Sequence, residues 1–215
     1  MTSPSRWERI TTSDPDHSIR YIERFRRLAA EGFDLDGEAR ACDALLERGS
    51  RVVDAGCGPG RVSHALAERG HHVVGLDIDP VLLKEARAVA ASRHIATTAD
   101  GEGGSARFIQ ADLREPYPAE AKGADLIVCS GNVITFFDDD EPAQVLLYLA
   151  DALSPTGRAV VGFGLTRGYS LERFEADCAA AGLSIESRFS TWQFHPMTED
   201  SDFMVAITSL TSPQG

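Results

Sequence analysis

The segment Val52-Val53-Asp54-Ala55-Gly56-Cys57-Gly58-Pro59-Gly60-Arg61 decides the fold of this chain. A β-branched run meets an acid and then three glycines at every second position, and an amphipathic segment follows over residues 62–70. This pattern predicts a strand that turns into a helix through glycines. Such a turn brings bare backbone N–H groups, and the positive end of a helix dipole, close to a ligand.

A second acid strengthens this interpretation. Asp77 closes the next apolar run, roughly 20 residues after the first, where doubly wound folds place an acid that accepts hydrogen bonds from a ribose. A dinucleotide fingerprint, G-x-G-x-x-G, needs its third glycine where this chain has Arg61. The chain instead has the form acid-x-Gly-x-Gly-x-Gly, which resembles motif I of the class I S-adenosylmethionine (SAM)-dependent methyltransferases.

Size, charge and cysteine spacing restrict the class of protein. The 215 residues suffice for one α/β domain, or for one domain with a small cap. No apolar run approaches the roughly 20 residues that cross a bilayer, and the start lacks the apolar core of a signal peptide, so we expect a cytoplasmic protein with no membrane partner. A net charge of −12 disfavours nucleic acid as a partner. The four cysteines and six histidines are scattered, which predicts free thiols and no metal site.

Strand and helix signals alternate after residue 50. Strands are predicted over 51–54, 72–77, 106–110, 125–130 and 158–163, and helices over 60–69, 80–92, 140–153 and 170–181. Strand-like residues 183–194 and 202–210 then follow with no helix between them, which predicts a hairpin. Earlier in the chain, helices are predicted over 18–32 and 38–48, and a surface loop is predicted over 92–105.

We therefore expect a doubly wound α/β fold with helices on both faces of a mainly parallel seven-stranded sheet, whose last strand is antiparallel. This ending also resembles the class I methyltransferases, and the resemblance covers residues 50–210. It implies a Rossmann-like SAM-binding domain over 50–210, preceded by a helical cap over 1–49 and followed by a frayed tail at 211–215.

The resemblance also implies which residues bind SAM and its product S-adenosylhomocysteine. The set is Asp54, Gly56, Gly58, Gly60, Asp77, Ile78, Asp112, Leu113, Ser130 and Tyr21. Within it, Asp54 would orient the network around the methionine amine, and Asp77 would bind both ribose hydroxyls. Asp112 and Leu113 would meet the adenine edge, and Ser130 ends a segment that resembles motif IV, beside the transferable methyl group.

Two of these acids have a purely structural alternative. Asp77 is equally suited to cap the helix that starts near Pro80, and Asp112 to cap the turn at residues 115–116. What favours SAM is that all these positions occur in the expected order, each at the end of a strand.

The acceptor is less constrained by the sequence. Residues 130–133 lack the Asn-Pro-Pro-Tyr type of motif IV. This disfavours methylation of adenine bases or of glutamine side chains, and it favours a small-molecule acceptor. A base is needed only if the acceptor must lose a proton. Candidates for catalysis are His17, Tyr21 and His195, and further candidates for acceptor contact are Asn132, Tyr169 and Trp192.

We expect the cap with Tyr21 and the final hairpin with Trp192 and His195 to enclose the acceptor together, as a lid that excludes water. The chemistry expected is methyl transfer from SAM by in-line displacement. Two other functions stay open at this point: a SAM-binding protein without catalysis, and an NAD-dependent oxidoreductase.

Overall fold

The structure, a computed structural model, describes residues 3–99, 103–138 and 140–211. The strands are β1 Arg51–Ala55, β2 His72–Asp77, β3 Ser105–Gln110, β4 Ala124–Cys129, β5 Leu153–Gly164, β6 Leu183–Phe189 and β7 Phe203–Leu210. The helices are α1 Arg6–Ser13, α2 His17–Ala30, α3 Gly37–Asp43, α4 Arg61–Glu68, α5 Pro80–Ser92, α6 Glu141–Ala152 and α7 Leu171–Ala180. Short 3₁₀ turns cover Ala119–Ala121 and Val133–Phe136.

All seven strands form one sheet in the order β3-β2-β1-β4-β5-β7-β6. Strands β1 to β5 pair in parallel, while β7 lies between β5 and β6 and is antiparallel to both. The predicted doubly wound fold, with its antiparallel last strand, is confirmed. The hairpin of the last two strands is confirmed as well, although the earlier of the two, β6, occupies the edge of the sheet.

Each face of the sheet packs against its own helices. Val52 belongs to an apolar core with residues of α3, α4 and α5, whereas its neighbour Val53 belongs to a second core with residues of α6 and α7. Successive side chains of a strand point to opposite faces, so a strand covered on both sides needs an unbroken apolar run. This double coverage explains why β1 and β4 are almost entirely buried.

Helix α1 was not predicted from the sequence. Ser5 caps it: the Ser5 hydroxyl accepts from the Glu8 backbone N–H over 3.2 Å, and the Glu8 carboxylate accepts from the Ser5 backbone N–H over 2.7 Å. This reciprocal pair is a capping box, and Ser-x-x-Glu is its sequence signature. The signal was therefore present in the sequence.

Three predicted element boundaries are wrong. The strand predicted over 158–163 begins at Leu153, directly after α6 ends at Ala152. The helix predicted over 38–48 ends at Asp43, whose carboxylate pairs with Arg48 over 2.7 Å and contacts His71 Nε2 over 2.9 Å in the turn that follows. The strand predicted over 183–194 ends at Phe189, because Ser190 N–H donates to the carbonyl of His195 over 2.8 Å and closes a turn. In the segments predicted as loop and tail, residues 100–102 and 212–215 lie outside the described residues.

Candidate cofactor and acceptor site

A cavity of about 410 Å³ lies at the carboxyl ends of the parallel strands. Its walls come from the glycine turn after β1, the ends of β2 and β3, the 3₁₀ turn after β4 and the loop after β5, and helices α1 and α2 cover it. Open α/β sheets bind ligands at this edge. A smaller cavity of about 40 Å³ adjoins the large one and shares Gly56, Gly58 and Tyr21 with it.

The structure brings nearly all of the predicted cofactor-binding residues together. The large cavity is lined by Gly56, Gly58, Asp77, Ile78, Asp112, Leu113 and Tyr21, and the small one also by Asp54 and Ser130. The exception is Gly60, which lines neither cavity. A Cβ atom on Gly60 would lie 2.7 Å from the ring of His64 and 3.0 Å from that of Phe108, so this glycine makes room for core packing.

Asp77 is held at the end of β2 by two backbone donors. Its carboxylate accepts from Gly58 N–H over 2.7 Å and from Asp79 N–H over 2.9 Å. Burial raises its pKa to about 6, against the effect of these hydrogen bonds. The alternative role of a helix cap belongs to Asp79, which accepts from Val81 N–H over 2.8 Å. Asp77 is therefore not the cap of α5, and it lines the cavity.

Asp54 lies deeper, at the wall of the small cavity. Ser63 Oγ donates to its Oδ2 over 2.6 Å from the first turn of α4. Burial raises the pKa of Asp54 to about 6 as well, although the Ser63 hydrogen bond opposes the shift. Two buried carboxyls with raised pKa values thus lie on either side of the glycine turn, a pattern typical of functional sites.

Asp112 does not face the cavity as a free carboxylate. Both of its oxygens accept from the Arg114 guanidinium, at 2.7 Å for the closest pair, and its Oδ1 also accepts from Arg114 N–H over 2.9 Å. Against the effect of partial burial, these hydrogen bonds lower the pKa of Asp112. The structural alternative for Asp112 was a cap of the turn at residues 115–116. The carboxylate does cap this turn, but at the N–H of Arg114, one residue earlier. The backbone of Leu113 makes neither of these contacts and lines the cavity.

Arg114 connects this corner to the amino-terminal segment. Its buried guanidinium also pairs with Glu141 at the start of α6 over 2.7 Å and donates to the carbonyl of Ser3 over 2.9 Å. Arg114 was not predicted from the sequence, because apart from Asp112 its partners come from two distant parts of the chain.

The cap is anchored by a polar contact to the strand edge. Trp7 Nε1 donates to Asp79 Oδ2 over 2.9 Å, and Ser18 Oγ donates to the same carboxylate oxygen. The Trp7 ring packs edge-on against Tyr21, with centroids 5.7 Å apart, and against Phe136 at 5.5 Å. The sequence analysis missed Trp7, since its partner Asp79 lies 72 residues away.

Arg61, at the position where a dinucleotide fingerprint has its third glycine, forms a second anchor of the cap. The Arg61 guanidinium pairs with Glu38 of α3, with one N–O distance of 2.8 Å, and lies 5.6 Å from the centroid of the Phe25 ring. Arg61 thus ties the glycine turn to the cap, which explains why an arginine occupies this position.

The three catalytic candidates have different outcomes. Tyr21 lines both cavities, and burial raises its pKa. His17 packs edge-on against Trp7, with centroids 5.1 Å apart, and is absent from the described lining of the cavity. His195 is exposed in the turn after β6 and lines neither cavity among the described residues.

The expectation that the final hairpin covers the acceptor is therefore wrong. Trp192 packs instead onto Gly162 of β5, where a Cβ atom would lie 2.3 Å from its ring. Of the further candidates, Asn132 lines the cavity and its Oδ1 accepts from Gly164 N–H over 2.8 Å. Tyr169 is buried and its hydroxyl donates to Asp177 over 2.8 Å, so it has a packing role.

A second cavity lies elsewhere in the described part of the molecule. A more open groove of about 1030 Å³ lies between α7 and β6, and it contains none of the residues predicted for the site. Within the described ranges, no helix is long and apolar enough to span a bilayer. The same residues contain no cluster of three or more histidine, cysteine or acidic side chains that could hold a metal ion.

The geometry fits SAM. A buried carboxylate at the end of β2 suits a ribose diol, and apolar Ile78 and Leu113 suit the faces and edge of an adenine. A Cβ atom on Gly58 would have Tyr21 and Leu82 as nearest neighbours, at 3.9 and 4.0 Å, so the space above the turn is open to the ligand.

Comparisons with known proteins agree with this fit. A family model described as a methyltransferase domain matches residues 52–157. The chain is 36% identical to a TehB-like SAM-dependent methyltransferase from Corynebacterium glutamicum, over 92% of this chain and 100% of that one, with a TM-score of 0.83. A SAM-dependent methyltransferase from Clostridium acetobutylicum shares the fold, with a TM-score of 0.74 over 90% of this chain and 98% of that one, at 12% identity.

One curated relative matches in sequence alone. The chain is 34% identical over 116 residues to a malonyl-[acyl-carrier protein] O-methyltransferase from Enterobacter lignolyticus. That match covers 52% of this chain and 40% of the relative, so the chain spans less than half of that protein. The glycine turn, the sheet order and the full-length similarity to the Corynebacterium protein lead to one conclusion: the chain belongs to the class I SAM-dependent methyltransferases, a family of enzymes, and its cofactor is SAM.

Proposed function

We propose that this protein transfers the methyl group of SAM to a small-molecule acceptor by in-line displacement. The observation that carries the proposal is the covered cavity of about 410 Å³, which runs from Asp77 to Phe137 beneath Trp7 and Tyr21. A covered cavity of this size suits a cofactor with a small acceptor. The net charge of −12 supports the same choice over a nucleic acid.

The chain's own residues divide between the two ends of SAM. Asp77 accepts from the ribose hydroxyls, Ile78 and Leu113 contact the adenine, and the backbone around Gly58 lies against the methionine part. Arg24 lies one helical turn after Tyr21 on α2 and lines the same cavity, so we assign it to the carboxylate of SAM.

Bound SAM supplies a methyl group on an electrophilic sulfonium. The protein's contribution is to orient the acceptor and to exclude water. Val133, Phe136 and Phe137 form an apolar wall beside the ends of β4 and β5, where the acceptor would lie. Since burial raises the pKa of Tyr21, its phenol stays protonated at neutral pH and serves as a wall of the cavity, not as a base.

The experiment that tests this function measures S-adenosylhomocysteine release from the purified protein with SAM and fractionated pools of small metabolites. We expect release with at least one fraction, and none with Gly58→Val, which removes cofactor binding. Release on RNA or protein pools alone would contradict a small-molecule acceptor. SAM binding without release on any pool would instead support the non-catalytic alternative.

A further inference from the structure

The charged side chains around the large cavity are unequally paired. Three ion pairs are formed at its wall: Arg61 with Glu38, Asp34 with Arg40, and Asp112 with Arg114. In contrast, no carboxylate among the described residues forms an ion pair with Arg24 or Arg167, which also line the cavity. Within the described ranges, the charged residues of the cavity lining that form no ion pair are therefore Arg24 and Arg167, both exposed, and the buried Asp77.

Arg167 lies at the end of the cavity opposite to Asp77. It is in the loop that follows β5, and its side chain folds back over the strand end, with Cδ 3.4 Å from the position of a Cβ atom on Gly164. Asn132 holds Gly164 in place by the hydrogen bond to its N–H, so the base of this loop is fixed to the turn after β4. Phe136 and Phe137, in and directly after the 3₁₀ turn that follows β4, add apolar surface to the same cavity.

The order of the strands decides which ligand meets Arg167. Asp77, Ile78 and Leu113 place the cofactor over the ends of β3, β2 and β1, and the ends of β4 and β5 remain for the acceptor. SAM carries one carboxylate, and Arg24 lies beside the glycine turn where the methionine part would be. Arg167 is then a guanidinium to which no carboxylate of the described part of the chain is paired, on the acceptor side of the cavity.

We propose that the acceptor carries a carboxylate, which Arg167 binds, and an apolar or aromatic body, which packs against Phe136 and Phe137. This inference rests on the proposed function, because it assumes that SAM occupies the other half of the cavity. A guanidinium binds a carboxylate through two parallel N–H···O bonds. A single guanidinium matches a monoanion better than a phosphate dianion. The net negative charge of the chain does not prevent an anion from binding here. At physiological salt, charges more than about 8 Å away are largely screened, so the nearby Arg167 guanidinium dominates the electrostatics of the acceptor.

The test measures binding to protein saturated with S-adenosylhomocysteine, by titration calorimetry. The probes are benzoate and phenylacetate, each paired with its neutral amide, benzamide and phenylacetamide. We expect the acids to bind about tenfold or more tightly than the amides, because a charge-assisted hydrogen bond is replaced by a neutral one. Arg167→Gln should abolish this preference and leave S-adenosylhomocysteine binding unchanged. Arg107→Gln, an exposed arginine of β3 that pairs with Glu120, is the matched control and should retain the preference.

Three results would overturn the inference: no binding of either acid to the parent protein, equal binding of acids and amides, or a preference that survives Arg167→Gln. The failure of the proposed function would be recognised separately. It would appear as absent S-adenosylhomocysteine release on metabolite pools, whatever the acid preference.

Discussion

The backbone N–H of Gly58 donates to Asp77 Oδ2 over 2.7 Å, and this bond joins the glycine turn after β1 to the end of β2. One carboxylate therefore shapes the turn and faces the ligand cavity. Two elements that are separate in the sequence thus form one binding surface, and each variant below needs a check of folding as well as of binding.

Replacing Asp77 by alanine should weaken SAM binding by about 1–3 kcal/mol, or roughly 5- to 150-fold in Kd, since the ribose hydroxyls lose their acceptor in a buried site. Titration calorimetry at pH 7.5 measures this, with Asp151→Ala as a control on an exposed acid of α6. Parental affinity in a folded Asp77→Ala protein would refute the ribose assignment.

Binding of S-adenosylhomocysteine should weaken as pH falls below about 6. The pKa of Asp77, raised by burial to about 6 in the ligand-free protein, drops when hydroxyl donors favour the carboxylate, so protons compete with the ligand. Affinity should fall by up to about tenfold per pH unit for each carboxyl that must ionise. Calorimetry from pH 5 to 8 would show this, and a flat profile would exclude the carboxylate as the group that binds.

Asp54, whose pKa is also raised to about 6, should make folding stability depend on pH in the opposite direction. A buried acid whose folded pKa exceeds its unfolded value of 3.8 contributes stability that is present below about pH 4 and is lost as pH rises through about 6. Asp54→Asn should therefore reduce the loss of thermal stability between pH 5 and pH 7 relative to the parent. Thermal melts at both pH values check this, and an unchanged difference would mean that Asp54 titrates at an ordinary pKa.

Gly58→Val should abolish SAM binding in a folded protein. Gly58 has a φ of +54°, which a β-branched residue adopts only with strain, and the valine methyl groups would project into the cavity. Gly49→Val is the control, because Gly49 has a φ of +77° and open space around it but lies between α3 and β1, away from the site. Normal binding by Gly58→Val would contradict the cofactor position, whereas loss of binding in both variants would indicate general strain.

Tyr21→Phe should bind S-adenosylhomocysteine nearly as well as the parent, and Tyr21→Ala should bind it about tenfold or more weakly. The ring packs against Trp7 and lies beside the glycine turn. We therefore expect its contribution to binding to come from the apolar area that it and the ligand bury together, at about 25 cal/mol per Å². Calorimetry on both variants distinguishes the roles. A large loss in Tyr21→Phe would assign the function to the hydroxyl.

Hydrogen exchange should show that the cap responds to the cofactor and that the turn after β6 does not. With S-adenosylhomocysteine, protection should rise in residues 5–30 and around the glycine turn, because the cap packs over the cavity through Trp7 and Tyr21. Residues 190–196 should be unchanged, since Trp192 packs onto Gly162 and not onto the cavity. Increased protection of residues 190–196 would instead support the original prediction that the cap and the final hairpin enclose the acceptor together.

The strand-end acids and glycines could be predicted from sequence because local chemistry constrains them. A left-handed turn needs glycine, as Gly56 shows: a Cβ atom there would lie 2.4 Å from Val133. Asp77 stood out because it ends an apolar run. The mainly parallel sheet with helices on both faces followed from the alternation of helix and strand signals.

The rest depends on contacts between distant parts of the chain. Trp7 donates a hydrogen bond to Asp79, and Arg114 donates to the carbonyl of Ser3 and forms an ion pair with Glu141. The local sequence around each partner does not predict these contacts. His195 was a candidate because it follows an aromatic run at a strand end, yet that run turns back to fill the space above Gly162. Side-chain direction after a turn is not encoded in spacing.

The antiparallel direction of β7 separates the two ends of the described chain. Ser209 pairs with Arg158, which in turn pairs with Leu126 near the beginning of β4, so Leu210 lies at the amino edge of the sheet. Ser5, in contrast, lines the cavity at the carboxyl edge. A reporter, affinity tag or surface linker attached after Leu210 would project away from the cavity, whereas one attached just before Ser5 would crowd its entrance. Immobilised binding assays on this enzyme should therefore be built from the carboxyl-terminal side.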